Sequence, residues 1–393
     1  MKIIERAVVG VLAKRVRSGP NLVQIVVGPR QVGKTTAIRQ VLDRWKGPSH
    51  YASADLPAPP DTAWIRGQWE VARLEARTRK TTLLVLDEVQ KVERWADVVK
   101  ALYEEDRRER RPIRACVLGS SSLDVQKAAH ESLAGRFELH FCPHWSFSEC
   151  REAFGWSLDE WLFYGGYPGA AQLVRSRERW AAYVADSLVE SVLSRDVLGL
   201  ANVAKPALLR RLFMLAVRAP ARIVSFNKML GQLQDAGNTV TLAHYLELLS
   251  QAFLVSGLDL WTAGAIRSRA SSPKLIVWNN ALVTALSGLS LRETRAQGDL
   301  WGRLVENAVG AHLLNARSPA MTVHYWRDRD DEVDYVVQEG TRVIALEVKT
   351  GRPAPRGLAA FSARHPRAKT LVVGTGGLPL EVFFCRAPGD LMG

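Results

Sequence analysis

Three groups of residues in this sequence carry side chains able to do chemistry. The first is Gly28-Pro-Arg-Gln-Val-Gly-Lys-Thr35, a G-x-x-x-x-G-K-T pattern. Gly28 and Gly33 let the backbone curl so that its N–H groups face a phosphate, Lys34 suits the β/γ-phosphates, and the Thr35 hydroxyl suits Mg²⁺. Thr36 stands beside them at the same helix start. The second group, Asp87-Glu88, closes the apolar run Leu-Leu-Val-Leu about fifty residues downstream. Asp87 is placed to hold Mg²⁺ and Glu88 to polarise an attacking water, so ATP and Mg²⁺ are the expected cofactors. The third is Asp334 with Glu347-Val-Lys349. Two converging carboxylates suit a hard cation, and a lysine beside them can orient or deprotonate a water for attack on a phosphodiester.

Each group needs particular elements to position it. Residues 22–27 read as a buried strand, 28–33 as a loop and the segment from Lys34 as a helix, whose N-terminal dipole end favours an anion. The run before Asp87 is apolar at every position, which marks a strand buried on both faces that delivers its carboxylates to the sheet edge. A further buried strand over 115–119 ends in Ser120-Ser121-Ser122. Those hydroxyls either sense a γ-phosphate or lytic water, or cap the next helix. Around Gly340-Thr341 two alternating apolar runs predict a type II′ two-residue hairpin. Counting outward from that turn sets Asp334 opposite Glu347 and Glu332 opposite Lys349, with Glu347 and Lys349 on one face.

The order of phosphate loop, Leu-Asp-Glu strand, Gly-Ser-Ser-Ser strand end and Ser132-Leu-Ala-Gly-Arg136 resembles the AAA-type ATPases of an uncharacterised prokaryotic family. So do Pro143-His-Trp-Ser-Phe-Ser-Glu149 and Gly165-Gly-Tyr-Pro168. The resemblance runs through nearly the whole chain. It implies that Arg136 is either an arginine finger acting on a neighbouring subunit's nucleotide, hence a head-to-tail homo-oligomer or hexameric ring, or an arginine capping the helix before a strand at 137–141. Asp334, Glu347, Val348 and Lys349 resemble the PD-(D/E)xK nuclease fold, in which Glu306 fits a further glutamate on a preceding helix. Val333 stands where the proline of that name would be. Such folds either cleave DNA or are kept as binding and structural modules.

Between these blocks, residues 180–197 carry helical apolar spacing and read as a helical lid. Helices are expected at 206–217, at 225–234 capped by Ser225 and at 241–250 capped by Thr241, followed by extended segments near 253–261 and 274–278. Three helices and a hairpin suggest a winged helix. Its third helix would bury Leu242, Tyr245, Leu246 and Leu249, leaving no outward Arg or Lys for base readout. The loop from Arg267 to Lys274, with three cations, is the better expected phosphate contact, and a subunit interface is the alternative.

Composition bounds the rest. The chain has 393 residues, 47% hydrophobic and 24% charged, which is ordinary for a globular protein of several domains. No run approaches the roughly 18–20 apolar residues of a membrane span. The basic N-terminal stretch reads as a docking helix, with a transit peptide as the alternative. Four cysteines without C-x-x-C spacing support neither a zinc knuckle nor a disulfide framework, and point to a reducing cytoplasm. A formal charge of +13 makes DNA the first partner to consider. Five arginines fall within residues 106–114, where a solvated loop between helix and strand is the plain alternative. The expected fold class is α/β: an AAA-type P-loop core over 1–145, a helical lid over 146–204, a winged-helix-like domain over 205–290 and a restriction-endonuclease-like PD-(D/E)xK domain over 291–393.

Overall fold

A computed structural model describes residues 4–76, 80–119, 122–198, 203–233, 237–263, 271–351 and 356–392. It contains two compact units, Ile3–Pro143 and His144–Gly393.

In the first unit, five strands form one sheet. They are β1 (Val23–Val27), β2 (Ser49–Ser53), β3 (Thr82–Asp87), β4 (Ile113–Gly119) and β5 (Phe137–Phe141), in the order β2-β3-β4-β1-β5. Every pairing is parallel. β1 and β3 are buried at every position because both sheet faces are covered. Ile25, Leu84, Leu86 and Val117 meet Trp69, Trp95 and Leu102 on one side. On the other, Val26, Leu83, Val85 and Leu118 meet Val9, Leu12 and Val16 of the helix Ala7–Ser18 and Ile38 and Val41 of the helix Lys34–Asp43. Burying a side chain of this size stabilises by about 1.5–3 kcal/mol, so the sheet is the rigid platform of the unit. The arginine-rich run joins the helix Trp95–Arg108 to β4. Arg111 there pairs with Glu105, Asp106 and Glu109, and Arg114 donates to the Gly19 carbonyl.

The second unit begins with the helices Phe147–Phe154 and Leu158–Tyr164, each started by a Ser/Glu capping box, Ser146 with Glu149 and Ser157 with Glu160. The Pro143 to Glu149 motif thus includes a helix start. The Gly-Gly-Tyr-Pro turn folds back on it: Trp145 N donates to the Gly166 carbonyl, and the Tyr167 hydroxyl meets His144 Nε2 at 3.1 Å. After the short helix Arg177–Ala182 the backbone winds as π-helix over Tyr183–Glu190 and Val192–Val197, a form that is rare beyond a single turn.

Helices Pro206–Arg218, Phe226–Gln232 and Thr239–Gln251 follow, then the antiparallel ribbon of β6 (Val255–Leu258) and β7 (Lys274–Val277). Ser225 caps the second helix as expected. The third is capped by Asn238, whose side chain accepts from Thr241 N, so Thr241 lies inside the helix rather than at its cap. Its buried face holds Leu242, Tyr245, Leu246, Leu248 and Leu249.

The long helix Gly298–Ala316 precedes a four-stranded sheet of β8 (Met321–Asp328), β9 (Asp331–Glu339), β10 (Arg342–Lys349) and β11 (Lys369–Gly374), in the order β11-β10-β9-β8. The β8–β9 and β9–β10 pairings are antiparallel, and β11 runs parallel to β10, reached through the helix Arg356–Arg364. Gly340 turns the β9–β10 hairpin at φ +60°, and Arg342 pairs with Glu339 directly across it. Among the described residues no helix is long and apolar enough to cross a membrane.

Candidate functional site

The C-terminal edge of the first sheet gathers the first two groups. β1 ends at Val27 and the loop over residues 28–33 returns into the helix Lys34–Asp43, with Gly33 as its N-cap. A side chain at Gly28 is impossible without movement, because its Cβ would lie 2.1 Å from the Cys142 carbonyl oxygen. Lys34 is buried, and its ammonium donates to the carbonyls of Gly28 at 3.0 Å and Pro29 at 2.7 Å. Burial pulls its pKa below the ordinary lysine value, with Cys142, Glu88 and Asp87 pulling it back up. Thr36 is exposed on the first turn of the same helix.

The end of β3 meets that helix. Thr35 donates through Oγ1 to Asp87 Oδ2 at 2.8 Å, which sets a hydroxyl and a carboxylate side by side, the hard oxygen pair that one Mg²⁺ takes. Asp87 is almost fully buried, and its other oxygen accepts from Glu88 N at 2.9 Å. Glu88 sits at φ +53°, a left-handed conformation that strains a side-chain-bearing residue and is concentrated at functional turns. Gln90 donates to its carboxylate.

Two residues absent from the sequence reading belong to this constellation. Tyr51 of β2 donates its hydroxyl to Asp87 Oδ2 at 2.9 Å. Burial, reinforced by Asp87, pushes the phenol up to about 12, so it stays a donor. Buried Arg6 donates to Val32 O of the loop at 3.1 Å and to Pro143 O beyond β5 at 2.8 Å, bracing the loop against the sheet.

Arg136 is elsewhere. It immediately precedes β5, so it lies at the N-terminal ends of the strands, the edge opposite the phosphate loop. There it pairs with Glu104 at 2.5 Å and donates to Ala134 O at 2.9 Å. Ser120 and Ser121 lie outside the described residues.

In the second unit, Glu347 falls opposite Asp334 one step along the register that pairs Leu346 with Tyr335. Their carboxylates nevertheless turn to different partners. Asp334 Oδ2 accepts from Val348 N at 2.7 Å, and Oδ1 faces Lys274 Nζ at 3.4 Å. Glu347 pairs with Lys349 at 2.6 Å and accepts from Leu358 N at 3.3 Å. Glu306 joins Lys274 at 2.6 Å and Arg303 at 3.1 Å.

The three carboxylates of the expected metal set, Glu306, Asp334 and Glu347, are thus each engaged with other partners. Among the described residues no group of three or more His, Cys, Asp or Glu is gathered to hold a metal ion. The reason is Lys274, which puts an ammonium between two of the three. Lys274, expected with Arg267 and Arg269 as a phosphate contact of a wing-like loop, opens β7 and is fully buried. Arg267 and Arg269 of the same loop lie outside the described residues.

Comparison with known proteins matches residues 20–151 to the family model of an AAA domain. Residues 155–293 match a domain of unknown function (DUF8612), and 301–382 a second one (DUF4143). Uncharacterized proteins of Mycobacterium bovis and Mycobacterium tuberculosis are each 29% identical over 83% of this chain and 70% of their own length. Among solved structures, a Walker-type ATPase of Pyrococcus abyssi aligns with a TM-score of 0.52 at 12% identity, covering 72% of this chain and 96% of that one. The chain thus carries an AAA-type domain of P-loop ATPase fold, followed by two domains of unknown function.

Proposed function

We propose that the first unit binds ATP with Mg²⁺ and hydrolyses it, and that nucleotide turnover drives or gates an action of the second unit on DNA. The Thr35–Asp87 contact carries the reading, because it joins the phosphate loop to the acidic strand end as a metal–nucleotide site requires. In this assignment Lys34 holds the β/γ-phosphates and the loop N–H groups cradle them. Thr35 and Asp87 would hold Mg²⁺, which when bound draws charge from the phosphate oxygens. Tyr51 keeps the Asp87 carboxylate aimed. Glu88 orients the attacking water and accepts its proton.

Arg136 is assigned to the nucleotide of a neighbouring copy, since its own chain's loop lies at the other end of the strands. That role requires a head-to-tail homo-oligomer, with a hexameric ring as one closed form. Three helices and an antiparallel ribbon support the winged-helix reading of the middle region. A helix, three antiparallel strands, a second helix and a parallel strand support the nuclease-like reading of the C-terminal sheet. The net charge of +13 supports DNA as partner.

A second reading is a nucleotide-controlled assembly switch whose nuclease-like module is inactive. The full burial of Lys274 among the carboxylates of Glu306 and Asp334 favours it. ATP turnover measured beside single-stranded, duplex and branched DNA separates the two. DNA stimulation with a steep salt dependence supports the first reading, and turnover indifferent to all DNA supports the second. Glu88→Gln is expected to keep ATP binding and lower turnover by roughly 10²- to 10⁴-fold. Absence of any nucleotide binding by the native chain refutes both.

A further inference from the structure

Lys274 has no solvent exposure, yet its ammonium is richly served. Glu306 Oε1 lies at 2.6 Å, the Asp334 carbonyl oxygen at 3.2 Å, Asp334 Oδ1 at 3.4 Å and Glu332 Oε1 at 3.9 Å. The face of the Tyr335 ring closes one side, its centre 4.8 Å from Nζ. An ammonium is a compact point charge with three donors, and this shell is what such a charge needs to be stable without water. The carboxylate oxygens that point away from it are committed as well, Glu306 Oε2 to Arg303 and Asp334 Oδ2 to Val348 N.

A divalent cation of the Mg²⁺ or Mn²⁺ class needs near-octahedral oxygen coordination, with carboxylates supplying the charge. Placed among these oxygens it would sit against a fixed positive charge, and each carboxylate would have to abandon a partner. The residues present do not fit such a metal.

We propose that Lys274 is the resident cation of the Glu306–Asp334 cluster, so that the C-terminal sheet takes no divalent metal there and the charges serve to fasten β7 to it. The neighbouring geometry agrees. Asn307, one residue after Glu306, donates to Val277 O at 2.8 Å and accepts from Val277 N at 2.9 Å, holding the far end of the same strand. The lysine anchors the first residue of β7 and the asparagine its last.

The inference is independent of ATP hydrolysis. Its test is Mn²⁺ binding to the full chain without nucleotide, followed by electron paramagnetic resonance, in an Asp87→Asn background that removes the metal position of the first unit. With Lys274 intact, no Mn²⁺ signal is expected that Asp334→Asn alters. Lys274→Met is expected to tighten Mn²⁺ binding by about tenfold or more, the equivalent of removing one nearby positive charge. One Mn²⁺ per chain that Asp334→Asn abolishes while Lys274 is present overturns the proposal. So does a folded Lys274→Met chain that gains no Mn²⁺. If that variant does not fold, the comparison of Lys274-containing chains with and without Asp334→Asn still decides.

Discussion

Replacing Lys274 by methionine removes a fully buried positive charge and leaves its packing volume nearly unchanged. Glu306 and Asp334, both largely buried, then face each other without the cation between them. Burial alone would lower the pKa of Lys274, but Asp334, Glu306 and Glu332 outweigh it and raise it, so the native group is charged. Taking one partner from a buried ion pair typically costs about 3–5 kcal/mol, because the remaining charge has lost both water and counter-ion. For a unit of this size each kcal/mol lowers the melting temperature by about 2–4 °C, so a fall of roughly 6–20 °C is expected. Neutralising the carboxylates in the same chain, with Glu306→Gln and Asp334→Asn, removes the orphaned charges and should restore much of the loss, a non-additivity that only coupled residues show. The assay is thermal unfolding by circular dichroism at pH 7. A single variant within about 1 kcal/mol of the native chain, or a triple variant less stable than the single by the sum of separate effects, refutes the electrostatic account.

Three other outcomes follow from the geometry. Gly28→Ala should force the phosphate loop away from the Cys142 carbonyl, lowering stability by about 1–3 kcal/mol and weakening ATP binding, both readable from nucleotide-dependent thermal shifts. Asn307→Leu should leave the Val277 N–H and C=O unpaired in a dry interior, at about 1–3 kcal/mol for each, measured by urea unfolding. His312, buried with Nε2 on the Arg386 carbonyl, has its pKa lowered from 6.5 to about 4 by burial. The unfolded chain therefore binds the proton first. Stability contributed by the neutral imidazole is present above pH 6.5 and lost as pH falls towards 4, by about 3 kcal/mol in all. Urea midpoints between pH 7 and 4 should show that slope, and His312→Gln should flatten it.

The loop and strand end that meet at Thr35 and Asp87 were legible because their signals are local. Lys34 and Thr35 follow their glycines directly, and the burial of β3 is written in an unbroken apolar run. The hairpin was legible for a similar reason, since alternation around Gly340-Thr341 fixes register without knowledge of anything distant. Tyr51 was not legible: β2 reads Ser-His-Tyr-Ala-Ser, an edge strand without an apolar run, and its hydroxyl finds Asp87 only through sheet order. Lys274 misled for the opposite reason. It closes a polar, basic segment whose composition suggests solvent, and its partners lie 32 to 60 residues further along the chain. Arg6 was not legible either: it sits in the basic N-terminal stretch, and only the fold brings its guanidinium between the loop and the end of β5. The third helix of the middle region was read in the right place with the wrong cap, because Asn238 and Thr241 are both good cap residues and only the backbone tells them apart.

The tight turn at Gly340 also limits how this module can vary. Side chains on a strand alternate with a period of two, so one residue inserted between Arg342 and Glu347 would carry Glu347 and Lys349 to the side now occupied by Val348. Two inserted residues would preserve the sidedness and only lengthen the strand. Length changes in this hairpin should therefore be tolerated in even steps, whereas odd ones should carry Glu347 and Lys349 together to the opposite face, away from the Leu358 N–H that Glu347 now accepts from.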